Sequence, residues 1–585
     1  MGEITERFVD SSDGVRVAVY EEGNQDGPTV VLVHGWPNSH VMWDGVVPML
    51  ADRFRILSYD NRGAGASSVP KPVNAYTMPR FADDFEAVIT ALSPGEPVHV
   101  LAHDWGSVGV WEYLSRPGAS DRIASFTSVS GPSTDHYAAL IRDGLARPYR
   151  PVRFARAVKL ALRLSYWIPF SIPVLAPAAM RAGLGRRIQH AHARGAHPDQ
   201  IHYGDINTDA ANSLKIYRAN AFRSAAMVRR DHYVGTPVQV IVNAKDPYVL
   251  PYGYDFESRW VPRLWRRDIP AGHWSPFSHP HVLAQSVHEL VDHLEGKAAS
   301  RGLLRARVGR PREYFGDTLV SVTGAGSGIG RETALAFARE GAELVISDID
   351  EATVKETAAQ VTARGGVAHA YTLDVSDADA VEEFAERVSA EHGVPDIVVN
   401  NAGVGQAGLF LDTPREEFDR VLAINFGGVV NCCRSFGRRL VDRGTGGHIV
   451  NVSSMAAYSP QQSMNAYSTS KAAVFMFGDC LRAELDHAGV GLTTVCPGVI
   501  DTNIVRTTRF DVPAGKQAKV EARRAQIEKA FAARRYGPEK VAKAIVSAVK
   551  KNKPIRPVTP EAYFVYGVAR LLPQAMRSSA RASVM

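Results

Sequence analysis

The sequence predicts a two-domain α/β protein, and three observations lead to that fold class. The chain has 585 residues, which exceeds the size of a single hydrophobic core and suits two large domains. In both halves, short apolar runs that end in glycine or a polar residue alternate with stretches of helical periodicity. That alternation is typical of a mostly parallel sheet covered by helices. Each half also carries its own group of reactive side chains, and the two groups have different chemical requirements.

Composition narrows the class of protein further. With 45% hydrophobic and 22% charged residues, the chain is typical of globular proteins, which disfavours general disorder and a multi-spanning membrane fold. The four cysteines all lie in the second half, two of them adjacent, which favours buried thiols in a reducing compartment over a disulfide framework. The first residues, MGEITERFVD, have no apolar core of the kind that an export signal needs. We therefore expect a cytoplasmic protein.

The first domain is predicted over residues 1–297. Four apolar runs predict its parallel strands, at 28–35, 54–60, 97–104 and 237–246. The stretch 132–235 is helical and irregular in pattern, with many prolines, and we interpret it as an inserted lid. A helix at 281–299 closes the domain.

The second domain is predicted over residues 315–585, after a basic, glycine-containing linker at 298–314. A new alternating β/α series begins there, which predicts a second parallel sheet. Its apolar runs lie at 317–324, 342–348, 395–402, 448–454 and 491–497.

The segment AHDWG at 102–106 directly follows the third strand and has the pattern small-x-nucleophile-x-small. This is the tight turn that presents a nucleophile at the end of the sheet in the α/β-hydrolase fold. Because the nucleophile is Asp104, attack on an sp3 carbon would form an alkyl ester, so the electrophile should be an epoxide or an alkyl halide. The backbone N–H groups of Trp36 and Trp105 can stabilise the oxyanion when water attacks that ester.

Two further residues follow in the order that this chemistry requires. Asp246 comes just after a strand and is placed to orient a histidine, and His273 follows near the end of the domain as the base for the attacking water. Two other histidines, His34 and His103, are interpreted as supports of the turns that carry them.

The first domain resembles the epoxide hydrolase branch of the α/β-hydrolases. The segments that carry the resemblance are HGWP (34–37), DNRGAGAS (60–67), AHDWG (102–106), NAKDPYVLP (243–251) and AGHW (271–274), in this order. The family usually has glycine where this chain has Ala102. The resemblance implies an α/β-hydrolase fold with an inserted helical lid, and two lid tyrosines that protonate the epoxide oxygen. Tyr217 matches the second of these, and Tyr166, in a more degenerate segment, matches the first.

Two alternatives stay open for this domain. Haloalkane dehalogenases share the aspartate nucleophile, but they typically have asparagine after the His-Gly pair to bind halide, and this chain has Trp36 there. The epoxide is therefore favoured over the halide. For Tyr166 and Tyr217 the simpler interpretation is ordinary packing within the lid.

The second domain contains TGAGSGIG at 323–330, which follows a strand and opens a helix. Its glycines allow backbone N–H groups and the helix N-terminus to approach a pyrophosphate, as in a Rossmann-type doubly wound parallel sheet. The predicted cofactor-binding residues of this segment are Thr323, Gly324, Ser327, Gly328, Ile329 and Gly330. Asp348, at the end of the next strand, can bind a ribose diol and would repel a 2′-phosphate, so NAD is preferred over NADP.

Tyr467 and Lys471 lie one helical turn apart, so the ammonium group should favour the phenolate and lower the pKa of Tyr467. Such a tyrosine can exchange a proton with an alcohol or a carbonyl. Ser454, at the end of the preceding strand, can hydrogen-bond the same substrate oxygen, and the neighbouring Ser453 is interpreted as structural.

These features resemble the short-chain dehydrogenase/reductase family, over about Phe315 to Val549. The resemblance implies catalytic roles for Ser454, Tyr467 and Lys471, with Asn425 in a proton relay. It also implies further cofactor contacts and a homo-oligomer built on this domain, with no metal ion. Those further contacts are Asp374, Val375, Asn401, Ala402, Gly403, Pro497, Gly498, Ile500 and Thr502.

Two basic and apolar segments remain, the acid-free stretch from Arg147 to Arg194 and the tail from Pro557 to Met585. Their composition suits peripheral contact with anionic lipid at the inner membrane surface or a long apolar substrate. Equally, the arginines could lie on a solvated lid face and the tail could dock at a subunit interface. The apolar stretch from Leu160 to Met180 is interrupted by Arg163 and three prolines, so we do not expect it to span a membrane. Nothing in the sequence resembles a nucleic-acid reading element.

The domain order resembles fused two-domain oxidoreductases of bacterial lipid metabolism. The sequence therefore predicts a bifunctional enzyme that opens an epoxide on a hydrophobic, lipid-derived substrate to a diol, and interconverts an alcohol and a ketone with NAD(H). Two alternatives remain: a dehalogenase fused to the dehydrogenase, and a membrane-associated scaffold in which one domain no longer turns over.

Overall fold

The computed structural model divides the chain into two compact units, Met1–Arg310 and Pro311–Met585. Each unit is described separately. The described residues are 4–193, 201–221, 233–501, 507–511 and 536–579.

The first unit contains one sheet of eight strands, in the spatial order β1-β2-β4-β3-β5-β6-β7-β8. Strands β1 and β2 form an antiparallel hairpin, β2 is antiparallel to β4, and the remaining neighbours are parallel. The strands are β1 Thr5–Asp10, β2 Arg16–Gly23, β3 Thr29–Val33, β4 Arg55–Tyr59, β5 Val98–His103, β6 Ile123–Val129, β7 Val238–Asn243 and β8 Leu264–Ile269.

The central strands β3, β5 and β7 are buried along their whole length. Helices cover both faces of a parallel sheet, so its strands are continuous apolar runs instead of alternating ones. A separate core lies on each face, one containing Phe85 and Phe126 and the other Trp43 and Phe54. The mostly parallel α/β architecture predicted from the sequence is confirmed.

Short helices and 3-10 turns connect these strands. Outside the stretch between β6 and β7 they are His40–Trp43, Val47–Leu50, Val73–Tyr76, Met78–Leu92, Asp104–Leu114, Ala119–Arg122, Pro251–Tyr254, Glu257–Arg259, Ser275–Ser278 and Pro280–Leu294.

In the stretch between β6 and β7, predicted as the lid, the described residues form helices joined by turns and irregular segments, with no strand. Its elements are Thr134–Leu145, Pro151–Arg163, Leu164–Tyr166, Trp167–Phe170, Leu175–Ala179, Met180–Leu184, Gly185–His192, Ile206–Ser213 and Lys215–Asn220.

The predicted linker at 298–314 needs a correction. Its first part forms the helix Arg301–Ala306, and Leu303 and Ala306 are buried in a small core against Trp265. The apolar side chains within this basic segment explain the difference, because burying them requires the helix to pack on the first unit. The first unit accordingly extends to Arg310.

The second unit contains a parallel sheet in the order β11-β10-β9-β12-β14-β15-β17 and a small pair, β13 and β16. The strand order reverses between β9 and β12, which defines the doubly wound topology and its ligand-binding crevice. The strands are β9 Leu319–Thr323, β10 Glu343–Asp348, β11 Ala368–Thr372, β12 Ile397–Asn400, β13 Gln406–Gly408, β14 Gly447–Val452, β15 Val490–Pro497, β16 Arg509–Asp511 and β17 Ile555–Val558.

Helices cover both faces of this sheet, as the sequence predicts for a Rossmann-type domain. They are Gly328–Ala338, Glu351–Thr362, Ala378–His392, Phe410–Asp412, Arg415–Leu422, Ala423–Gly427, Gly428–Arg443, Met455–Ala457, Asn465–Leu485, Asp486–Ala488, Pro538–Lys550, Pro560–Leu571 and Pro573–Ser579.

All four cysteines are free thiols; Cys432, Cys433 and Cys496 are buried and Cys480 is exposed. Among the described residues, no single helix combines the length and the apolar character that crossing a membrane requires.

Candidate active sites

Asp104 lies at the first position of the helix Asp104–Leu114, directly after β5, and its backbone has φ of +48°. This left-handed conformation is uncommon for any residue except glycine and persists only where the surroundings impose it. Here two glycines impose it. A Cβ on Gly106 would lie 2.2 Å from the His34 carbonyl oxygen, and one on Gly35 would lie 2.5 Å from the Asp104 Cβ. The turn can therefore close only with glycine at both positions.

The Asp104 carboxylate faces two backbone N–H groups and a histidine. Its Oδ2 accepts a hydrogen bond of 3.1 Å from the Trp36 N–H, and the Trp105 N–H also bonds the carboxyl group. Burial raises the pKa of Asp104 to about 6, although His273 and both N–H groups act in the opposite direction. The two residues predicted to supply an oxyanion site, Trp36 and Trp105, thus lie at the nucleophile position.

His273 connects the two carboxylates of the first unit. Its Nε2 is 3.7 Å from Asp104 Oδ1, and its Nδ1 is 2.8 Å from Asp246 Oδ2. Burial would lower the pKa of His273, but the two carboxylates outweigh it and raise that pKa. Burial would raise the pKa of Asp246, yet His273 and the N–H groups of Tyr248 and Val249 hold it below its usual range. A proton on Nδ1 directed at Asp246 leaves Nε2 free to accept one beside Asp104.

The two predicted lid tyrosines lie close together above Asp104. Their ring centroids are 6.0 Å apart, and Tyr217 is buried while Tyr166 is half-buried. Desolvation raises the pKa of both well above the usual range; the Asp104 carboxylate adds to the increase, and a hydrogen bond with Trp105 opposes it for Tyr217. Both side chains therefore stay protonated and can donate a proton or a hydrogen bond.

Further aromatic rings, which sequence reasoning did not identify, surround these tyrosines. Trp167 packs on Trp105 with centroids 5.2 Å apart, and Phe170 packs on Trp36 at 5.1 Å. Tyr248 lies 4.9 Å from the His273 ring. The run of aromatic residues at 166–170 was the available signal, although only the folded lid reveals which rings point inward. The resulting site is apolar except for its carboxylates, histidine and phenols.

His34 and His103 support the turns, in agreement with the sequence interpretation. The Nε2 of His34 accepts a 2.9 Å hydrogen bond from the Asn61 N–H, and the Nε2 of His103 donates to the His273 carbonyl oxygen at 2.9 Å. Burial lowers their pKa values, to about 4 for His34 and about 3 for His103. Both rings are therefore neutral at ordinary pH.

In the second unit, the turn after β9 forms a cradle of backbone N–H groups. Gly324 and Gly328 have φ of +63° and +54°, values that favour glycine. A Cβ on Gly330 would lie 2.0 Å from the Gly324 carbonyl oxygen. The helix Gly328–Ala338 begins after Ser327, whose side chain makes no capping hydrogen bond. Its N-terminal N–H groups, next to the half-buried Ile329, can therefore bind an anion.

Asp348 and Asn401 fix the two sides of this cradle. Asp348 ends β10, and its Oδ2 accepts a 2.8 Å hydrogen bond from the Gly326 N–H. The Asn401 side chain donates to the carbonyl oxygens of Thr323 and Gly324, at 3.0 and 3.1 Å. Hydrogen bonds thus connect the segments at the carboxyl ends of β9, β10 and β12, next to the point where the strand order reverses.

Tyr467 and Lys471 lie on the helix Asn465–Leu485, where Lys471 is buried and Tyr467 is half-buried. Burial raises the pKa of Tyr467, and a hydrogen bond with Ser454 opposes this. The prediction that the Lys471 ammonium group lowers the pKa of Tyr467 is therefore wrong. The physical reason is distance: the Lys471 Nζ donates to the Val452 carbonyl oxygen at 3.0 Å and lies 6.0 Å from the Tyr467 ring centroid. Burial also lowers the pKa of Lys471 to about 8.

Asn425 lies in the π-helical turn Ala423–Gly427 and is fully buried. Its amide both accepts from the Val404 N–H at 2.7 Å and donates to the Val404 carbonyl oxygen at 3.0 Å, and it also donates to Ser470 Oγ. A Cβ on Gly403 would lie 3.1 Å from Asn425 Oδ1 and 3.3 Å from Lys471 Nζ. The backbone at Gly403 therefore lies between these two side chains.

The remaining predicted residues lie around the same crevice. The Ala402 N–H donates to Thr323 Oγ1 at 3.2 Å, and Asp374 and Val375 follow β11, with Asp374 exposed and Val375 buried. Pro497 ends β15, and Ile500 is buried shortly after it.

Gly498 donates to the Val558 carbonyl oxygen at 3.0 Å, and Thr502 lies outside the described residues. Ser453 donates to the Lys471 carbonyl oxygen at 2.7 Å, which agrees with a structural role.

A nicotinamide dinucleotide fits this donor set. The cradle that a Cβ on Gly330 would fill admits a pyrophosphate to the helix N-terminus, and the Asp348 carboxylate lies beside it at the end of β10.

Fold and sites together define an α/β-hydrolase joined to a short-chain dehydrogenase. Residues 28–280 match the family described as "alpha/beta hydrolase fold", and residues 318–512 match "short chain dehydrogenase". The second family implies a nicotinamide cofactor.

The chain is 70% identical over 584 residues to proteins named "Probable oxidoreductase EphD" in Mycobacterium tuberculosis (strain ATCC 25618 / H37Rv) and Mycobacterium bovis, covering 99% of each chain. It belongs to this family of enzymes in which an α/β-hydrolase domain precedes a short-chain dehydrogenase domain. Its second unit is also similar to the 2,3-dihydro-2,3-dihydroxybenzoate dehydrogenase of Bacillus subtilis (strain 168), at 37% identity over 183 residues, which are 31% of this chain and 70% of that one.

Proposed function

We propose that the first unit hydrolyses an epoxide on a hydrophobic, lipid-derived substrate to a diol. In the second unit, we propose that an alcohol and its ketone are interconverted with NAD(H). One observation carries the first proposal: the nucleophile position holds a carboxylate, with the Asp246–His273 pair behind it and two phenols opposite.

The first step of epoxide opening uses Asp104 and the lid tyrosines. A carboxylate oxygen of Asp104 attacks one epoxide carbon and forms a C–O ester bond, while the bond from that carbon to the ring oxygen breaks. The ring oxygen leaves with the electron pair and takes a proton from Tyr166 or Tyr217. The product is a hydroxyalkyl ester of Asp104.

The second step releases the diol. His273 Nε2 takes a proton from water, and the hydroxide oxygen attacks the carbonyl carbon of the ester. The oxyanion is stabilised by the N–H groups of Trp36 and Trp105, which already lie at the carboxyl group. The intermediate expels the diol oxygen, which takes the proton held by His273. The second proton of the water passes from the Asp104 carboxyl group back to the tyrosinate, so the Asp104 carboxylate is regenerated with one oxygen from water.

The indole groups support the epoxide over the alkyl halide. The Trp36 indole N–H donates to the Ala210 carbonyl oxygen at 3.1 Å, and the Trp105 indole bonds Tyr217. A halide leaving group would need such nitrogens to be free, whereas an epoxide oxygen needs the phenols that these contacts position.

In the second unit, Tyr467 is proposed to exchange a proton with the substrate oxygen, and Ser454 to hydrogen-bond that oxygen. Lys471, with its pKa near 8, is largely protonated at neutral pH and lies 6.0 Å from the centroid of the Tyr467 ring. Bound NAD would supply the hydride acceptor, and the Asp348 carboxylate favours its ribose diol over a 2′-phosphate.

Single-turnover hydrolysis in H2 18O tests the first proposal most directly. Excess enzyme converts a long-chain epoxide once, and mass spectrometry of the active-site peptide locates the label. Label in the Asp104 carboxyl group supports the ester route, whereas label only in the diol would overturn it. In a His273→Gln variant the ester should accumulate on Asp104, and release of halide from a matched alkyl halide would instead favour dehalogenation.

A further inference from the structure

The lid presents an exposed apolar surface that neither proposed reaction uses. We call residues 168–175 the lid tip. It comprises most of the helix Trp167–Phe170, the turn after it and the first residue of the helix Leu175–Ala179. In the lid tip, Ile168 is 70%, Val174 78% and Leu175 69% exposed, and Ile172 is exposed as well. Contiguous exposed apolar side chains of this size indicate an interaction surface more often than an ordinary one.

The inner side of the same segment is anchored. Trp167 and Phe170 point toward the active site, where they pack on Trp105 and Trp36. The outward direction of Ile168 and Val174 is therefore set by the rings on the opposite side. The lid tip cannot bury its apolar side chains by turning over, because that would expose two large aromatic rings.

Cationic side chains lie on the helices that precede and follow the lid tip in the chain. No acidic residue occurs between Arg147 and Arg194, and Arg153, Lys159 and Arg187 are exposed. Arg163, in contrast, donates to the Pro247 carbonyl oxygen at 2.9 Å and is thereby bound to the loop after β7. An apolar tip together with basic side chains on the neighbouring helices complements a partner with an apolar interior and a negatively charged surface.

We propose that this face of the lid docks on an anionic lipid bilayer, with the lid tip inserted among the headgroups and the basic residues bound to them. Helices Pro151–Phe170 and Leu175–Ala191 meet at a bend of 83°, so the pair suits an interfacial position. A second copy of this chain is a poorer occupant, because two faces of the same positive charge repel each other.

Docking at this face would bring lipid close to the proposed epoxide site. The side chains of Trp167 and Phe170 belong to the same short helix as Ile168, and they contact the rings that surround Asp104. A lipid chain entering beside the lid tip therefore meets apolar rings before it reaches the carboxylate. This consequence rests on the proposed function, whereas the docking itself does not.

Vesicle flotation of the full-length protein tests the docking without any turnover. Vesicles of phosphatidylcholine mixed with phosphatidylglycerol are compared with vesicles of pure phosphatidylcholine. Unchanged protein should float with the anionic vesicles and dissociate as the salt concentration rises. The combined change Ile168→Ser, Val174→Ser and Leu175→Ser should weaken binding by about tenfold or more. The combined change Lys159→Gln and Arg187→Gln should also weaken binding to anionic vesicles at low salt, since each basic residue near an anionic surface raises the binding affinity about fivefold.

Two matched controls separate this surface from others. Leu411→Ser removes a side chain that is 92% exposed in the second unit, and it should leave flotation unchanged. Phe564→Ser with Leu571→Ser removes exposed apolar side chains of the C-terminal tail. Thermal unfolding followed by tryptophan fluorescence is measured in every variant, because all eight tryptophans lie in the first unit and an unchanged transition shows that this unit is folded.

The proposal is overturned by any of three results. Wild-type protein that does not float with anionic vesicles, or floats equally with neutral ones, excludes an anionic bilayer. Binding that survives the lid-tip changes but is lost with the tail changes assigns the contact to the tail. Self-association that the lid-tip changes abolish would assign the face to a second copy of the chain. Failure of the 18O experiment leaves all these readings unaffected.

Discussion

Asp104 combines two features that are each unfavourable elsewhere in a protein. Its backbone has a positive φ, and its side chain is largely removed from water, with 17% of it exposed. Gly35 and Gly106 permit the tight turn that carries the first, and the second raises the pKa of Asp104. Strain and desolvation concentrated on one residue are typical of functional sites.

The pH dependence of ester formation should reveal the burial of Asp104. Attack requires the carboxylate, and a raised pKa means that this form is lost at higher pH than for an ordinary aspartate, whose pKa is about 3.9. We expect the single-turnover rate of ester formation to fall as pH decreases through about 6. A rate that stays constant down to about pH 4.5 would contradict the raised pKa.

The close contact at Gly106 leads to a stability prediction. In Gly106→Ala the new Cβ would meet the His34 carbonyl oxygen at 2.2 Å, so we expect the free energy of unfolding to fall by about 2–3 kcal/mol. All eight tryptophans lie in the first unit, so urea unfolding followed by tryptophan fluorescence reports on that unit alone. Gly95→Ala is the control, because its Cβ would have no atom within 4 Å. Equal stability of the two variants would contradict the prediction.

At the scale of elements, the strands that sequence patterns located are largely buried apolar runs, whereas β6 is also largely buried but was missed because serine and threonine interrupt its apolar residues. β3, β4, β5 and β7 correspond to continuous apolar runs, as do β9 and β15. β11 was missed because it lies at the sheet edge and its residues are only partly buried. The hairpin of β1 and β2 was missed because it is largely exposed on its first strand. Periodicity predicts an element only when burial constrains its side chains.

The turn between β10 and the following helix should set the choice of cofactor. Asp348→Ser removes the carboxylate that would repel a 2′-phosphate, so we expect kcat/KM for NADP relative to NAD to rise about tenfold or more. Asp350→Asn is a matched control, since Asp350 caps the helix Glu351–Thr362 and asparagine caps equally well. Steady-state kinetics with both cofactors would measure the ratio. An unchanged ratio in Asp348→Ser, or an equal rise in Asp350→Asn, would show that the carboxylate does not select NAD.

The lid tyrosines also act through the elements that carry them. Tyr217→Phe keeps the ring packed against Trp36 and Trp105 and removes only the hydroxyl group. We expect ester formation to slow by about 10–100-fold, because proton donation to the epoxide oxygen is weakened. The second phenol, Tyr166, limits the loss, so rapid-quench measurements should show a larger loss in the double variant with Tyr166→Phe. Equal rates in wild type and in both variants would assign the tyrosines to packing alone.

For the whole molecule, the two units have separate sheets, separate cores and separate reactive groups. The two activities should therefore be lost independently. We expect Asp104→Ala to abolish epoxide opening and retain NAD-dependent alcohol oxidation, and Tyr467→Phe to do the opposite. Both activities are assayed in each variant, and loss of both in either one would mean that the sites are not independent.

The sequence by itself determined the fold class, the division into two domains and the chain order of the reactive residues. Those features depend on local apolar runs and on short motifs such as AHDWG and TGAGSGIG, in which neighbouring residues carry the information. It also predicted Asp246, because this residue follows the nucleophile in the order that the fold requires, whereas Tyr217 was implied by the resemblance to epoxide hydrolases.

The tertiary structure alone decided the surroundings of those residues. It placed the rings of Trp167 and Phe170 inward and the side chains of Ile168 and Val174 outward. It also made helix Arg301–Ala306 part of the first unit, where the sequence predicted a linker. Burial raised the pKa of Tyr467, where the sequence predicted a lowered pKa. Burial and through-space distance produce these effects, and both depend on residues far apart in the chain.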